Sequence, residues 1–430
     1  MNQHRFPLII VGAILITPRI NLIEFGGSSV RLEDLLFALN AIWLATNYRR
    51  ISVDFLPIKT ILKAIIFISL LGIFSSVIAS SLGRISLSVG ILYSLRPLEY
   101  ATILPTVLFL RKYAFNNLNR VLIALTLTTF VSVTLQSIFN LRFGTDRFSF
   151  SRSSGLTGGP YELAMISLMM CCHWISQRRR FLAAVSIFSI LSSQSRITLL
   201  AFAVSALYLY SKRKQIQDKS ALFLTKRKLS QQSALIVLIA AVASLSLMIL
   251  NYEQVSKLAN NYQDRVASTS ASVGAFQNAR ELALSVTKIS TSAEYSQWAF
   301  VSPPNFELVL DRFDASSARR YYIWNLVYET NIQNFGILFG MSPGFFGSAV
   351  DANFVRIFGE LGTLGIFLYF FWLRRLWKYG NYIFKSVLIT MLVTALYIDI
   401  LVSIKSITLL YCLLVIHNAG NLVTKEQINQ

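Results

Sequence analysis

Arginine residues stand at four places in this chain where they could bind an anionic ligand. Arg152 lies in a polar stretch rich in glycine and serine, Arg196 ends a short serine-rich interruption of an apolar region, and Arg319-Arg320 precede an aromatic segment. Arg96 lies inside an apolar run, where a charge is costly and often functional. The guanidinium group is a rigid fork that matches phosphate oxygens. These residues therefore predict a phosphate-bearing ligand.

Each of these arginines also has a simpler interpretation. Arg152 could contact anionic lipid headgroups. Arg196 could pair with one of the carboxylates that also stand near apolar segments: Glu99, Glu162 or Glu360. Arg96 could form an ion pair with Glu99, three residues later on the same helix, beside a kink at Pro97. The sequence alone leaves these alternatives open.

Three carboxylates are candidate general bases: Asp351, Glu162 and Glu360. A carboxylate within hydrogen-bond reach of a hydroxyl group can accept its proton. Two of them have structural alternatives. Ser348-Ala-Val-Asp351 has the spacing of a helix capping box, and Glu162 would complement the dipole of a helix that begins after Gly158-Gly159-Pro160.

An aromatic segment and a glycine-rich elbow connect Arg320 to Asp351. Tyr321, Trp324, Tyr328 and Ile332 have helical spacing, which predicts an amphipathic helix that lies on a membrane surface and holds Arg320 at the headgroup level. The elbow that follows supplies glycines where tight turns need positive φ. We expect four residues to shape the loops around the site: Gly155, Pro160, Gly344 and Gly347.

The composition predicts an all-α polytopic membrane protein. Of 430 residues, 54% are hydrophobic and 14% charged, and the mean hydropathy is +0.55, which excludes an ordinary soluble domain. The net charge of +20 resides mostly in short clusters between apolar runs, as the positive-inside rule describes for cytoplasmic loops, so no nucleic-acid partner is expected. No cleavable signal pattern is apparent, because Pro18-Arg19 rather than small residues follow the first apolar run.

Apolar runs long enough to cross a bilayer recur along the chain. We predict twelve membrane segments, with both termini in the cytoplasm: 6–23, 32–47, 60–82, 88–110, 119–140, 161–177, 181–193, 197–211, 233–250, 353–373, 382–402 and 404–422. Residues 1–250 would form segments one to nine, 251–352 a large external loop, and 353–430 the last three segments with a short tail.

Within residues 1–250, one short loop and one helical hairpin are expected to approach the external face. Residues 141–160 form a short external loop, and the short segments within 181–211 form a hairpin whose tip at Arg196 is recessed below the outer surface. Such a tip would line a cavity rather than face lipid. The three cysteines, Cys171, Cys172 and Cys412, lie within apolar segments and indicate neither a disulfide framework nor a metal site.

These motifs together resemble the O-antigen polymerase and O-antigen ligase family, membrane glycosyltransferases with a GT-C-type fold. The resemblance covers roughly residues 85–375. It rests on the order and spacing of five features, together with the large external loop: Arg152-Ser-Ser-Gly155 with Gly159-Pro160, the Ser195-Arg196 tip, Arg320 with Trp324, the elbow leading to Asp351, and Glu360-Leu-Gly362.

The resemblance implies a polymerase of the Wzy type at the periplasmic face of a bacterial inner membrane. Such an enzyme moves a glycan from undecaprenyl diphosphate to a hydroxyl group of another lipid-linked repeat unit, with no metal and no cofactor. It implies that arginines matching Arg152, Arg196 and Arg320 hold the diphosphate, and we add Arg319 and Arg96 as candidates. The implied partners are undecaprenyl-diphosphate-linked oligosaccharides, membrane lipids and a chain-length co-polymerase.

Three other functions are compatible with the same residues. A ligase would transfer the glycan to lipid A core or to protein, but similar ligases carry a histidine where this chain has Asp351, and His4, His173 and His417 are poorly placed for external chemistry. A transporter or flippase for lipid-linked oligosaccharides would show internal repeats, of which we find none. A structural membrane subunit would use its arginines to contact lipid.

Overall fold

A computed structural model of the chain shows an assembly of helices. It describes the following residues: 4–18, 20–25, 28–51, 58–139, 141, 153–193, 195–212, 279–286, 288–301, 315–347 and 350–418. Arg152 lies outside these residues, and so do the ninth predicted membrane segment, 233–250, and residues 251–278 of the predicted large external loop.

The described residues form helices and one small antiparallel hairpin. The elements in chain order are α1 (Arg5–Ile16), β1 (Asn21–Phe25), β2 (Ser28–Arg31), α2 (Leu32–Ile51), α3 (Lys59–Ser81), α4 (Leu87–Phe139), α5 (Pro160–Ser176), α6 (Arg180–Ser192), α7 (Arg196–Ser211), α8 (Ser292–Ser296) with a π-helical turn (Gln297–Val301), α9 (Ala315–Gln333), α10 (Asn353–Tyr379), α11 (Tyr382–Ala395) and α12 (Ile404–His417). The predicted helical class is confirmed, with the hairpin as an addition.

Three helical stretches of the described chain are long and apolar enough to cross a membrane: α3, residues Phe115–Ser137 of α4, and α10. Large apolar side chains cover outward faces of these helices, with Phe67 on α3 56% exposed and Phe367 on α10 70% exposed. A contiguous exposed apolar surface of this kind is typical of contact with lipid. The remaining apolar helices α1, α6, α7, α11 and α12 have 16 residues or fewer, so the prediction of twelve spans is not confirmed.

Some predicted boundaries were wrong. Segments 88–110 and 119–140 are one continuous helix, α4, of 53 residues with Pro97 and Pro105 inside it. No glycine or proline occurs between Arg111 and Arg120 to end the helix there. The first predicted segment ends at Ile16 because the β-hairpin follows, and the segment 382–402 ends at Ala395, where a turn begins.

Two hydrophobic cores organise the described residues. The larger core joins side chains of α1 to α7 with those of α10 to α12. A smaller core packs α8 and α9 against the elbow: Tyr295 of α8 and Tyr322 of α9 are fully buried with Phe345 and Phe346 of the elbow. This second core includes Ala79 at the end of α3, so α8, α9 and the elbow are packed onto the end of the bundle. The packing fixes α9 and the elbow relative to α10.

The elbow (residues 336–347) is inserted against a break in α10. The helix is interrupted at Gly362, which has φ 66° and ψ −162°. Four backbone hydrogen bonds join the elbow to this break, two in each direction: Met341 N to Gly359 O, Ser342 N to Glu360 O, Thr363 N to Ile337 O and Leu364 N to Leu338 O. A Cβ on Gly340 would lie 2.2 Å from the carbonyl carbon of Glu360, so only glycine permits this approach.

The predicted hairpin of short helices is present as α6 and α7, and its tip is buried. Ser193 and Ser195 have no exposed surface, and the hydroxyl groups of Ser195 and Thr198 lie 2.7 Å apart. The backbone amide of Ser153 donates to the carbonyl of Ser192 across 3.2 Å. The start of the loop that leads into α5 therefore lies beside this tip.

Candidate functional site

Arg320 joins three separate parts of the chain at one end of the bundle. Its Nε donates to Oδ2 of Asp351 across 3.1 Å, and its Nη2 donates to the hydroxyl of Tyr161 across 2.7 Å. The guanidinium carbon also lies 5.2 Å from the centre of the Tyr161 ring. Helix α9, the segment before α10, and the first turn of α5 thus each contribute one member of this cluster, which we call the arginine cluster.

The arginine cluster is only partly open. The side chain of Arg320 is 18% exposed and that of Asp351 is 50% exposed. Burial lowers the pKa of Arg320, but the negative charges that Tyr161 and Asp351 can carry, and their hydrogen bonds, outweigh it and raise the pKa above its ordinary value. The guanidinium therefore stays charged. Within the described chain its Nη1 and Oδ1 of Asp351 make no hydrogen bond, so both atoms are available to a ligand.

A second ion pair supports the same end of α10. Nε of Arg356 lies 2.9 Å from Oδ2 of Asp399 without the alignment of a hydrogen bond, and the two side chains are 10% and 20% exposed. Nη2 of Arg356 donates to the carbonyl of Gly347 across 2.9 Å. This pair ties the start of α10 to the end of the elbow and to the turn between α11 and α12.

Asn353 completes this connection. Its Nδ2 donates to Oδ1 of Asp399 across 2.6 Å, and its Oδ1 accepts hydrogen bonds from the backbone amides of Ile400 and Leu401. Asn353 is fully buried. The turn that carries Asp399 is therefore held against the chain two residues after Asp351, and we call Asn353, Arg356 and Asp399 the turn clamp.

Glu360 and Arg96 line a small cavity beside the turn clamp. The cavity has a volume of about 50 Å³, and its walls include Tyr93, Arg96, Arg356, Glu360 and Tyr369. Oε1 of Glu360 accepts a hydrogen bond from the amide of Gly344 across 3.1 Å. One water molecule needs about 10–15 Å³ of a volume measured in this way, so the cavity has room for a few water molecules.

The predicted ion pair between Arg96 and Glu99 is not formed among the described residues. The guanidinium of Arg96 instead lies over the ring of Tyr93, 4.3 Å from its centre, and faces the cavity. An aromatic face attracts a guanidinium group without the loss of hydration that a buried ion pair requires. Arg96 is therefore directed toward Glu360 and Arg356 rather than toward its helical neighbour.

Glu162 has its carboxylate occupied by its own loop. Oε2 accepts from the amide of Gly158 across 2.6 Å, and Oε1 accepts from the hydroxyl of Ser403. Both bonds fix the first turn of α5, in which Pro160 is the first residue. These contacts favour the helix-start interpretation of Glu162 over the catalytic one, although Tyr161 beside it contacts Arg320.

The predicted loop-shaping glycines adopt the expected backbone conformation. Gly155, Gly344 and Gly347 have φ values of 56°, 84° and 57°. The amide of Gly155 donates to Oε1 of Gln136 across 2.8 Å, which fixes the loop before α5. A Cβ on Gly344 would lie 2.7 Å from the ring of Tyr93, so glycine is needed there for space as well as for conformation.

Of the other predicted arginines in this part of the molecule, only Arg319 has a described side chain, and its described contacts are not with the arginine cluster. Arg319 points away from it: its Nη2 donates to the carbonyl of Ala299 across 3.3 Å, and its guanidinium lies 6.0 Å from the ring centre of Phe300. Arg196 begins α7, and its side chain lies outside the described atoms, as does all of Arg152. The convergence of Arg152, Arg196 and Arg320 stays a prediction.

The capping-box interpretation of Asp351 was wrong. Helix α10 begins at Asn353, and its N-cap is Ala352, which makes no side-chain capping bond. Asp351 thus precedes the helix and does not stand in its first turn. The carboxylate of Asp351 instead accepts a hydrogen bond from Arg320, so it belongs to the arginine cluster and does not cap the helix.

His173 and His417 lie at the opposite end of α5 from Tyr161 of the arginine cluster. Nδ1 of His173 and Nε2 of His417 are 2.9 Å apart at the far end of α5. His173 follows Glu162 by eleven residues, which corresponds to about 16 Å along a helix. This placement separates the two histidines from the arginine cluster.

Sequence reasoning missed Asp399, Tyr161 and the role of Arg356. Asp399 lies in the apolar sequence ALYIDIL, which was predicted to be part of a membrane segment. A single carboxylate in such a run is itself a signal of function or of a buried partner. Tyr161 gave no signal, because a tyrosine in the first turn of an apolar helix is common.

The chain matches no protein-family model and no curated protein.

Proposed function

We propose that this chain is a membrane glycosyltransferase of the O-antigen polymerase type. It transfers a glycan from undecaprenyl diphosphate to a hydroxyl group of another lipid-linked repeat unit, at the periplasmic face of a bacterial inner membrane. The observation that carries the proposal is the arginine cluster: a largely buried guanidinium with a free Nη1, beside a half-exposed carboxylate with a free Oδ1 in the described chain. The resemblance of the sequence motifs supports the same function.

Asp351 and Arg320 suit the two changes of charge in this reaction, the loss of a proton from the acceptor hydroxyl and the growth of negative charge on the diphosphate. The acceptor oxygen attacks the anomeric carbon while its proton passes to Oδ1 of Asp351. The bond between the anomeric carbon and the diphosphate oxygen breaks, and its electron pair stays on the diphosphate. Nη1 of Arg320 donates to a diphosphate oxygen as its negative charge grows. A charged donor in a partly buried site stabilises that growing charge more strongly than it would in water.

The turn clamp and Arg96 have supporting roles in this proposal. Asn353, Arg356 and Asp399 fix the chain on both sides of Asp351, so the carboxylate does not need to reorganise during the reaction. Arg96, at the cavity beside them, adds positive charge near the same end of the bundle. Arg152 and Arg196 remain proposed diphosphate ligands. The residue after Arg152, Ser153, is hydrogen-bonded to Ser192 at the tip that also carries Arg196. A chain-length co-polymerase is the proposed protein partner.

Ligase activity is the nearest alternative, and the acceptor distinguishes the two. The candidate base of this chain, Asp351, is a carboxylate. The histidine pair lies at the far end of α5, about 16 Å along the helix from Glu162. We therefore favour polymerase over ligase.

The break in helix α10 is the one feature of the described chain that would suggest a transporter. Interrupted membrane helices often expose backbone groups to a transported ion or substrate. In this chain the elbow already satisfies the carbonyl groups of Gly359 and Glu360 and the amide groups of Thr363 and Leu364. The break is therefore filled by the protein itself. We infer a fixed site rather than a moving one.

The test is complementation of a deletion strain of the source organism. Cells with Asp351→Asn or Arg320→Ala should contain single repeat units in place of a ladder of glycan lengths, at protein levels equal to wild type by immunoblot. Arg280→Ala removes an exposed arginine of the external region and should restore the full ladder. A full ladder from both site variants would contradict the proposal, and transfer of single units to lipid A core in wild-type cells would indicate a ligase.

A further inference from the structure

A second basic cluster lies at the opposite end of α10 from the arginine cluster. Phe371, Arg374, Arg375 and Lys378 surround a cavity of about 160 Å³. One water molecule needs about 10–15 Å³ of a volume measured in this way, so the space is large enough for a phosphate group. The three cations are 18 residues or more beyond Arg356, so about 27 Å of helix rise separates the two ends.

Arg375 is directed into this cavity by an aromatic contact. Its guanidinium carbon lies 4.6 Å from the ring centre of Phe371, one helical turn earlier. Its Nε is buried and makes no hydrogen bond to the residues that the structure describes. A guanidinium group with an unpartnered donor favours a ligand that can accept hydrogen bonds from its other nitrogen atoms. Arg374 and Lys378 are exposed on either side and add charge.

The apolar surface of the same helix leads directly to the cations. Phe367 is 70% exposed and Phe371 40% exposed, and spacings of four, three and four residues connect Phe367 to Phe371, Arg374 and Lys378 on one face. From Phe367 to Lys378 the helix rises about 16 Å, roughly half the thickness of the hydrocarbon core. The acyl chain of an anionic amphiphile could therefore contact the two phenylalanines while its head group contacts the cations on the same helix face.

We propose that this strip, Phe367 to Lys378, binds an anionic phospholipid. The phosphodiester accepts hydrogen bonds from Arg374, Arg375 and Lys378, and an acyl chain lies over Phe371 and Phe367. Guanidinium groups bind phosphate oxygens with two parallel donors, which gives more specificity than charge alone. The site is independent of the proposed transferase reaction, because it lies at the other end of α10.

The test uses the full-length protein in detergent, with phosphatidylglycerol as the anionic probe and phosphatidylcholine as the zwitterionic one. Native mass spectrometry counts bound lipid. Wild type should retain phosphatidylglycerol at least tenfold better than phosphatidylcholine. The triple variant Arg374→Gln, Arg375→Gln, Lys378→Gln should lose this preference. The charge-matched control Arg5→Gln, Arg180→Gln, Lys212→Gln removes three other basic residues and should keep it.

Two further measurements keep the proposal open to contradiction if the triple variant does not fold. Arg375→Lys keeps the charge but loses the planar fork over Phe371, and it should weaken retention severalfold. Inorganic phosphate at millimolar concentration should not displace the lipid from wild type, because it offers no acyl chain. Equal loss in the charge-matched control, full retention in Arg375→Lys, or displacement by inorganic phosphate would each overturn the proposal.

Discussion

The two ends of α10 use arginine in different ways. At its start, Arg356 is paired with Asp399, and nearby Arg320 is paired with Asp351, so each guanidinium has a carboxylate that fixes its direction. At its end, Arg375 lies over Phe371, and on the neighbouring helix Lys385 lies 5.3 Å from the ring centre of Trp377. Carboxylate partners give a cation a fixed geometry, whereas aromatic partners leave its hydrogen-bond donors for a ligand.

This difference distinguishes a site suited to catalysis at the start of α10 from a site suited to binding an anionic headgroup at its end. A reaction that moves a proton and stabilises a leaving group needs charges of both signs at fixed positions. Binding of an anionic headgroup needs positive charge next to apolar surface. The comparison makes separate predictions for the two ends, and variants at one end should not affect the function of the other.

The largest effect on stability is expected for Arg356→Met. Removing the guanidinium leaves the carboxylate of Asp399 buried without its countercharge, which typically costs about 3–5 kcal/mol. Thermal unfolding of the protein in detergent should show a large decrease in Tm. The double variant Arg356→Met, Asp399→Leu removes both charges and should recover much of the loss. A single variant as stable as wild type would contradict the role of the turn clamp.

The elbow provides a matched pair of glycines. Gly340 and Gly347 both have positive φ, at 73° and 57°, but a Cβ would meet backbone at 2.2 Å only at Gly340. Positive φ costs either alanine variant about 1–2 kcal/mol, and overpacking should add about 1–3 kcal/mol for Gly340→Ala. The Tm of Gly340→Ala should therefore fall well below that of Gly347→Ala. Equal values would mean that the elbow is not packed against the break of α10.

The smallest effect is expected for Tyr161→Phe. The change removes the hydroxyl that accepts from Arg320 but keeps the ring over which the guanidinium lies. The loss of one hydrogen bond to a charged group should slow transfer about tenfold, which corresponds to about 1.4 kcal/mol. Chain growth should be slower, with the protein level unchanged. The matched change Tyr328→Phe, at an exposed tyrosine of the same region that stacks on Phe358, should not slow it.

Part of this arrangement was accessible from the sequence because it depends on local chemistry. Apolar runs and turn residues predicted most helices, the recessed tip between α6 and α7, and positive φ at Gly344 and Gly347 of the elbow. Arg320 and Asp351 were identified separately, from residue type and from their position between an amphipathic helix and an apolar run. Their direct contact was not predicted.

The remaining features depend on contacts between distant residues, which spacing does not encode. Asp399 pairs with Arg356 across 43 positions of the sequence, and Tyr161 reaches Arg320 across 159. Arg96 lies over Tyr93 rather than beside Glu99, and both Arg96 and Tyr93 line a cavity formed by several helices. The continuity of α4 through two prolines likewise depends on tertiary packing, which overrides local propensity.

The most direct test of the central claim is the rate at which the purified protein releases undecaprenyl diphosphate from lipid-linked repeat units in nanodiscs. We predict that Arg320→Ala lowers this rate about 10²–10³-fold, as loss of a charged donor to a developing anion commonly does. Arg280→Ala, at an exposed arginine outside the arginine cluster, should leave this rate unchanged. A wild-type rate in Arg320→Ala, or an equal loss in Arg280→Ala, would contradict the assignment of the arginine cluster as the catalytic site.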